Sequence, residues 1–320
     1  MSLNCLTSDN KDDVLTECKE SSFNVCNDNV SLYVCTWNLS GKTPNYSHLN
    51  ELLPLNHTMY VIGTQECCHS IEKSVVYNCK MEWESLLKKY FNINNYVCIK
   101  SVELVALHLI IFIKKEYYSY INNIESNTIG TGKFGFYGNK GATSIELTFN
   151  SLSLMFVNSH FHAHSHKIER RNNDYHKIHK NLIKKRYDIL FWFGDLNYRI
   201  VKLTKHRVLN IINKKHYDRL IKHDQLLHYK TKTKNIFHGF SEDKIMFPPT
   251  YKYDTKTNTY TNKKQRIPSY TDRILYKCNL RGNTFKNISI KSTQYNCIQS
   301  LLLSDHKPVY NVFKICFNSG

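Results

Sequence analysis

Along the chain, short and nearly unbroken apolar runs alternate with longer stretches in which apolar residues recur every three or four positions. The runs are Leu32 to Trp37, Met59 to Gly63, Leu107 to Ile113, Thr143 to Phe149, Leu152 to Val157, Ile189 to Phe193, Ile274 to Tyr276 and Val309 to Phe317. Their length and their β-branched and aromatic content predict strands. Between them, Glu72 to Tyr90, Lys167 to Lys185 and Arg207 to Tyr229 carry apolar residues at helical spacing with charges between, predicting surface helices that cover sheets. The alternation is that of an α/β protein. Residues 1–29 are polar and without period, which predicts a poorly ordered leader. The rest shows no repeat and no Gly/Ser- or Pro-rich linker, so one domain is expected over residues 30–318.

Four of the runs end in residues suited to metal or phosphate chemistry. Leu32 to Trp37 runs into Asn38, Met59 to Gly63 into Gln65 and Glu66, Leu154 to Val157 into Asn158, Ser159 and His160, and Ile189 to Phe193 into Gly194, Asp195, Leu196 and Asn197. Ligand sites of α/β sheets gather at such strand ends, where a rigid backbone holds the side chains and loops admit the ligand. One site built from all four is the simplest inference.

Composition narrows the classes of partner. A 41% hydrophobic chain can bury a substantial core, which excludes a disordered protein. Lys plus Arg number 44 against 26 Asp plus Glu, a formal +18, so an anionic partner is expected: nucleic acid, an acidic leaflet or a polyphosphorylated small molecule. A Lys/Asn-rich compositional bias without any partner is the bland alternative. The 11 cysteines are scattered without CxxC spacing, and the pair Cys67 and Cys68 has no second pair to complete four zinc ligands, so they read as reduced packing thiols. No run approaches the roughly 20 apolar residues that span a bilayer. The expected location is cytoplasmic, with any membrane contact peripheral.

The run Phe191-Trp192-Phe193-Gly194-Asp195-Leu196-Asn197-Tyr198-Arg199 is the most specific segment, and Ser304-Asp305-His306-Lys307-Pro308-Val309 is its natural partner. These occur in order with Thr36-Trp37-Asn38, Gln65-Glu66, Gly138-Asn139-Lys140-Gly141, Asn158-Ser159-His160, Pro249-Thr250-Tyr251-Lys252-Tyr253-Asp254 and Pro268-Ser269-Tyr270-Thr271-Asp272-Arg273. Over about residues 31 to 316 the set resembles the inositol polyphosphate 5-phosphatases of the endonuclease/exonuclease/phosphatase superfamily. Pro268 to Arg273, with Leu275-Tyr276 after it and Asp224-Gln225-Leu226 upstream, is most similar to the lipid-preferring type IV subgroup. Gly138 to Gly141 and His160 to His164 are more like type II and synaptojanin-like members.

The resemblance implies a four-layer α/β sandwich of two packed mixed sheets flanked by helices, as in deoxyribonuclease I. It also implies magnesium-dependent removal of the 5-phosphate from phosphoinositides such as phosphatidylinositol 4,5-bisphosphate and 3,4,5-trisphosphate, and from soluble inositol polyphosphates. Glu66 is then a hard oxygen ligand for Mg²⁺, with Asn38 in support and Asp305 as a further metal-side carboxylate. Asp195 and Asn197, two apart in an extended segment, are expected to grip one water, Asp195 as general base and Asn197 orienting the attack. His306 donates to the scissile phosphate, Asp272 keeps its imidazole oriented and protonated, and His160 is the other imidazole at that phosphate. Tyr251, Lys252, Lys264 and Arg266 match residues at the 4-phosphate, and Asn139 and Lys140 residues near the 1-phosphate. Arg273 is either a phosphate ligand or a structural ion-pair residue.

Three further features have two readings. His160, His162, His164 and His166 would share one face if the strand continued, as in a zinc site, but a helix beginning near Lys167 makes them loop residues near lipid headgroups. Phe134, Phe136 and Tyr137 either dip into a bilayer interface, held there by lysines on an anionic surface, or pack under their loop. The charge also suits a nuclease or sphingomyelinase of the same superfamily, yet Tyr251 to Asp254 has no place in a DNA reader and no nucleic-acid-binding module is present, so nucleic acid is not an expected partner. A catalytically inactive phosphoinositide-binding protein is the non-enzyme alternative, against which stands the intact set Glu66, Asp195, Asn197 and His306. A monomer is expected.

Overall fold

The computed structural model describes residues 28–67, 79–132, 140–185, 187–279 and 288–317. The leader, Cys68, the aromatic residues Phe134, Phe136 and Tyr137, and Asn139 lie outside them.

Strands β1 (Asp28–Asn38), β2 (Met59–Gln65), β3 (Tyr96–Leu104), β4 (Leu107–Lys114), β10 (Ser289–Cys297) and β11 (Val309–Phe317) form one sheet in the order β10-β11-β1-β2-β4-β3. Strands β5 (Ile121–Gly130), β6 (Gly141–Phe149), β7 (Leu152–His160), β8 (Ile189–Asp195) and β9 (Asp272–Cys278) form the other in sequence order. Each sheet holds one parallel pair, β1 with β2 and β7 with β8, and every other pairing is antiparallel. A parallel pair needs a crossover. Helix α1 (Tyr46–Leu52) bridges the first pair and α3 (Ile168–Leu182) the second.

Side-chain alternation along these strands builds the layers. Val34, Val61 and Ile111 of one sheet meet Ile145, Phe156, Phe191 and Phe193 of the other. The opposite faces turn outward. Tyr33, Tyr60, Ile62 and Phe112 pack under Leu49 of α1 and Trp83, Leu87 and Phe91 of α2 (Cys79–Ile93). Met155, Leu190 and Trp192 pack under Tyr175, Ile178 and Leu182 of α3 and Leu226 of α6 (Gln225–Thr231). The result is helix, sheet, sheet, helix, the expected sandwich. Strands covered on both faces, such as β2 and β8, are buried at every position, which is why they read as unbroken apolar runs.

Boundaries differ in two places. Arg207 to Tyr229 is three short helices, α4 (Lys205–Asn213), α5 (Tyr217–Ile221) and α6, because polar turns at Lys214 to His216 and Lys222 to Asp224 interrupt the period. The helix expected over Glu72 to Tyr90 runs from Cys79 to Ile93 within the described residues. None of the described helices is long and apolar enough to cross a membrane.

Candidate active site

The two parallel pairs end at the same rim of the sandwich. Asn38 lies opposite Gln65 where β1 and β2 stop, and His160, Asp195 and Asp272 are consecutive cross-strand neighbours where β7 and β8 stop and β9 begins. Buried amides hold the two rims together: Gln65 Nε2 donates to Asn158 Oδ1 at 2.7 Å, and Asn158 Nδ2 donates to the carbonyls of Thr64 at 3.2 Å and His108 at 3.0 Å. Gly63 permits this approach, since a Cβ there would fall 2.5 Å from Phe193 and 2.7 Å from Asn158. Gly194 is required more strictly, with φ +135° and the position of a Cβ only 2.0 Å from the Ser159 carbonyl oxygen.

Asp195 is the hub. Its Oδ2 accepts from Asn38 Nδ2 at 3.0 Å, lies 3.2 Å from His160 Nε2 and is 4.0 Å from His306 Nε2. Burial alone would push its carboxyl up; the hydrogen bond from His160 and the charges of His160, His306 and Lys140 overrule burial and hold it well below the usual carboxylate range. His160 is itself pushed down by burial and by Lys140, whose ammonium touches its Nε2, while Asp195 pulls the other way. Glu66 stands 3.8 Å from the same nitrogen.

His306 faces this cluster from the loop before β11. Its Nδ1 donates to Asp272 at 3.0 Å, its backbone N–H donates to Ser304 Oγ at 3.1 Å, and its carbonyl accepts from Trp37 Nε1 at 3.0 Å. Ser304 Oγ in turn donates to the Asn38 carbonyl at 2.7 Å. Burial disfavours a charged imidazole here, but Asp272, Asp195 and Asp305 outweigh it and raise the His306 pKa to about 9. Asp272 accepts further from Thr250 Oγ1 at 2.6 Å and Thr271 Oγ1 at 2.9 Å.

Cations ring the opening. The Tyr251 ring lies 4.3 Å from the His306 ring and has Arg199, Lys252 and Arg266 around it at 4.7, 5.4 and 5.8 Å. Lys252 pairs with Asp305, and Arg266 donates to the Tyr251 hydroxyl. Lys264 is exposed on the adjoining turn.

The structure thus gathers Asn38, Glu66, Lys140, His160, Asp195, Tyr251, Lys252, Arg266, Asp272, Asp305 and His306 about one opening. Two expectations change. Arg273 is not a substrate ligand: it is buried with its guanidinium on Glu242 at 2.7 Å and Asp224 at 2.8 Å, so every charged contact is internal. Asn197 is not in an extended segment, since β8 stops at Asp195 and Asn197 has φ +56°. Its Nδ2 donates to the Phe161 carbonyl at 3.1 Å and its Oδ1 accepts from Arg199, leaving only its backbone N–H on Asp195 Oδ1 at 3.1 Å. His162, His164 and His166 are loop residues, as expected, because β7 stops at His160; His162 pairs with Asp174 at 2.8 Å, while His164 and His166 are exposed.

Several residues went unseen. Thr250 and Thr271 lie within the family-like motifs, and their hydroxyls fix Asp272. Arg171, fully buried, donates to the carbonyls of His162, His164 and Ser165 and to Gln225 Oε1, which also accepts from the Arg199 N–H. In a helix rich in Lys and Arg nothing local marks it.

A hard divalent cation suits the donors at the strand ends. Glu66 offers a carboxylate, and Asn38 Oδ1, which accepts from the Ser40 N–H at 2.9 Å, keeps a second lone pair. Asp195, Asp272 and His306 also bring one ligand atom each within 4.8 Å of one another. Asp272, however, is already engaged by two hydroxyls and the imidazole, so Glu66 and Asn38 are the better fit.

The model of the Endonuclease/Exonuclease/phosphatase family 2 matches residues 35–312. The type II inositol 1,4,5-trisphosphate 5-phosphatase of Mus musculus is 35% identical over 309 residues, covering 90% of this chain and 30% of that protein. The phosphatidylinositol polyphosphate 5-phosphatase type IV of Homo sapiens is 31% identical over 324 residues, with 91% and 47% covered. The chain therefore spans less than half the length of these relatives. The inositol polyphosphate 5-phosphatase domain of SpSynaptojanin, crystallised with inositol (1,4)-bisphosphate and calcium ion, matches with a TM-score of 0.78 and 32% identity over 91% of this chain and 86% of that one. With that shared fold and the family model spanning the whole site, the chain belongs to the endonuclease/exonuclease/phosphatase family 2 and, within it, to the inositol polyphosphate 5-phosphatases.

Proposed function

We propose that the protein is a magnesium-dependent phosphatase that hydrolyses the 5-phosphate of phosphoinositides, with soluble inositol polyphosphates as further substrates. The observation that carries this reading is Asp195 held ionised between Asn38, His160 and His306, with Asp272 behind His306. SpSynaptojanin was captured with inositol (1,4)-bisphosphate, which is what remains when the 5-phosphate leaves inositol 1,4,5-trisphosphate.

Magnesium held by Glu66 and Asn38 would neutralise charge on the phosphate oxygens. Asp195 holds the attacking water in line and takes its proton, a modest demand when the phosphoryl transition state is loose. Its low pKa keeps it ionised at neutral pH. The charged His306 donates to a phosphate oxygen, and Asp272 preserves both its orientation and its charge. Asn197 acts on the Asp195 loop, its backbone N–H holding the Asp195 carboxylate and its side-chain amide tying the loop to the Phe161 carbonyl. Lys252, Arg266 and Tyr251 receive the 4-phosphate, with Lys264 reaching in from the turn, while Lys140 serves the scissile or 1-phosphate. The basic surface would hold a monomer peripherally on an anionic cytoplasmic leaflet.

The test is phosphate release from phosphatidylinositol 4,5-bisphosphate and inositol 1,4,5-trisphosphate, with and without magnesium, for the wild type and Asp195→Ala. Magnesium-dependent release that vanishes in the variant supports the reading. A folded protein that releases nothing from either, yet cleaves abasic DNA or sphingomyelin, overturns it.

A further inference from the structure

The helices α4 and α5 and their flanking turns enclose a second concavity of about 410 Å³ that shares no residue with the candidate active site. Arg207, Lys214, Arg219 and Lys222 line it together with His216 and His223, over a floor that includes Leu203 and Ile211. No carboxylate lines it. Among the described residues no ion pair engages any of the four cations.

The general basicity of the chain does not account for this. From residue 201 to 223 there are seven Lys and Arg against the single acid Asp218, whereas the whole chain has 44 against 26. Val208 and Leu220 anchor the two helices in the core, which leaves their basic faces turned outward. Like charges brought together without counter-ions repel, and a bound polyanion relieves that repulsion. The volume falls in the range of small-ligand sites, roughly 300–1,000 Å³. The helix pair also rests on the active-site loop, since Lys205 Nζ donates to the Thr261 carbonyl at 2.6 Å and to Asn262 Oδ1 at 2.7 Å, just before Lys263 and Lys264.

We propose that this cleft is a second, non-catalytic site for a ligand carrying clustered phosphates, namely a phosphorylated inositol headgroup. Clustered phosphates follow from the cleft alone; the choice of inositol rests on the function proposed above. Arg207 and Arg219 present planar forks to phosphate oxygens, Lys214 and Lys222 mobile point charges, and the aliphatic floor accepts the ring. A headgroup held there would keep the catalytic mouth beside further substrate on the same surface.

The experiment compares the full chain with the triple variant Arg207→Gln, Arg219→Gln, Lys222→Gln, whose altered side chains are exposed and whose folding is checked by thermal melting. Each protein is titrated calorimetrically with inositol 1,4,5-trisphosphate without magnesium. Each is also sedimented with phosphatidylcholine vesicles containing either phosphatidylinositol 4,5-bisphosphate or phosphatidylserine at matched charge. A second equivalent of free headgroup, bound by the wild type and lost in the variant, supports the proposal with a soluble ligand. Vesicle binding weakened roughly a hundredfold for the phosphoinositide alone supports it with a lipid ligand. Equal binding by both proteins, or the same loss on phosphatidylserine, overturns it. Turnover of inositol 1,4,5-trisphosphate with magnesium is measured in parallel and is expected to be unchanged in the variant. A wild type without turnover that still binds the second equivalent would remove the proposed function and leave the cleft standing.

Discussion

Asp272 and His306 form a buried pair 3.0 Å apart in which one carboxylate oxygen also accepts from Thr250 and Thr271, so the carboxylate is fixed before the imidazole meets it. The pairing, helped by the charges of Asp195 and Asp305, raises the His306 pKa from 6.5 to about 9 against the pull of burial, so the ring stays charged through neutral pH. Activity that needs the imidazolium is therefore expected to hold up to about pH 9 and to fall above it. The Asp272→Asn variant should lose roughly 10²–10⁴ in kcat, and its alkaline limb should move toward the ordinary histidine range. Stability follows the same sign: the group's contribution is complete below pH 6.5 and is lost as pH rises through about 9. A pH–rate profile of the variant that still breaks near 9 would refute the pairing as the cause.

Arg273 gives a contrasting prediction, because its three internal bonds to Glu242 and Asp224 make it a stability residue. Arg273→Gln leaves the buried Asp224 and the partly buried Glu242 without their cation and should cost about 3–5 kcal/mol. Arg273→Lys keeps the charge but not the fork and should cost less. Urea unfolding measures both. A folded variant with normal stability and a raised KM would return Arg273 to the substrate site.

How much of this was legible in the chain depends on burial geometry. Strands covered on both faces, such as Ile189 to Asp195, write themselves as apolar runs, and Asn38, Glu66, His160 and Asp195 were legible because they terminate such runs, whereas Asp272, His306 and the cations of the opening were legible only through the family motifs. The strands β5 and β10 passed unnoticed because each is a sheet edge with few fully buried positions. Ile121–Gly130, for instance, has only Ile121 fully buried. Arg171 was invisible for a different reason: it caps the carbonyls of the irregular loop before its own helix, which has no sequence period, and its side-chain partner Gln225 is brought to it by tertiary packing. Asn197 was misread because a period of two was extended one turn past the strand's end.

The amide bridge between the sheets yields a third prediction. Asn158 engages Gln65, Thr64 and His108 at once, so Asn158→Ala strands polar groups on the neighbouring strands in a dry interior. Each orphaned group costs about 1–3 kcal/mol. Glu66 follows Gln65 directly, so the variant should also need more magnesium. Asn158→Ala with wild-type melting and metal dependence would show that the bridge positions nothing.

Glu66 itself decides the metal assignment. It sits just past β2 with φ +49°, a left-handed backbone uncommon for a side-chain-bearing residue, and its carbonyl accepts from the Gly41 N–H at 2.8 Å, which knits the loops after β1 and β2 together. Glu66→Gln preserves shape and hydrogen bonding but removes the charge a divalent cation needs. Chelation should stop release in the wild type, and the variant should require roughly ten to a hundred times more magnesium for half-maximal rate while its melting temperature without metal stays unchanged. Were the two magnesium titrations to overlay, the cation would belong instead to the cluster of Asp195, Asp272 and His306, and Asp272→Asn would then alter the metal requirement as well as the pH limb.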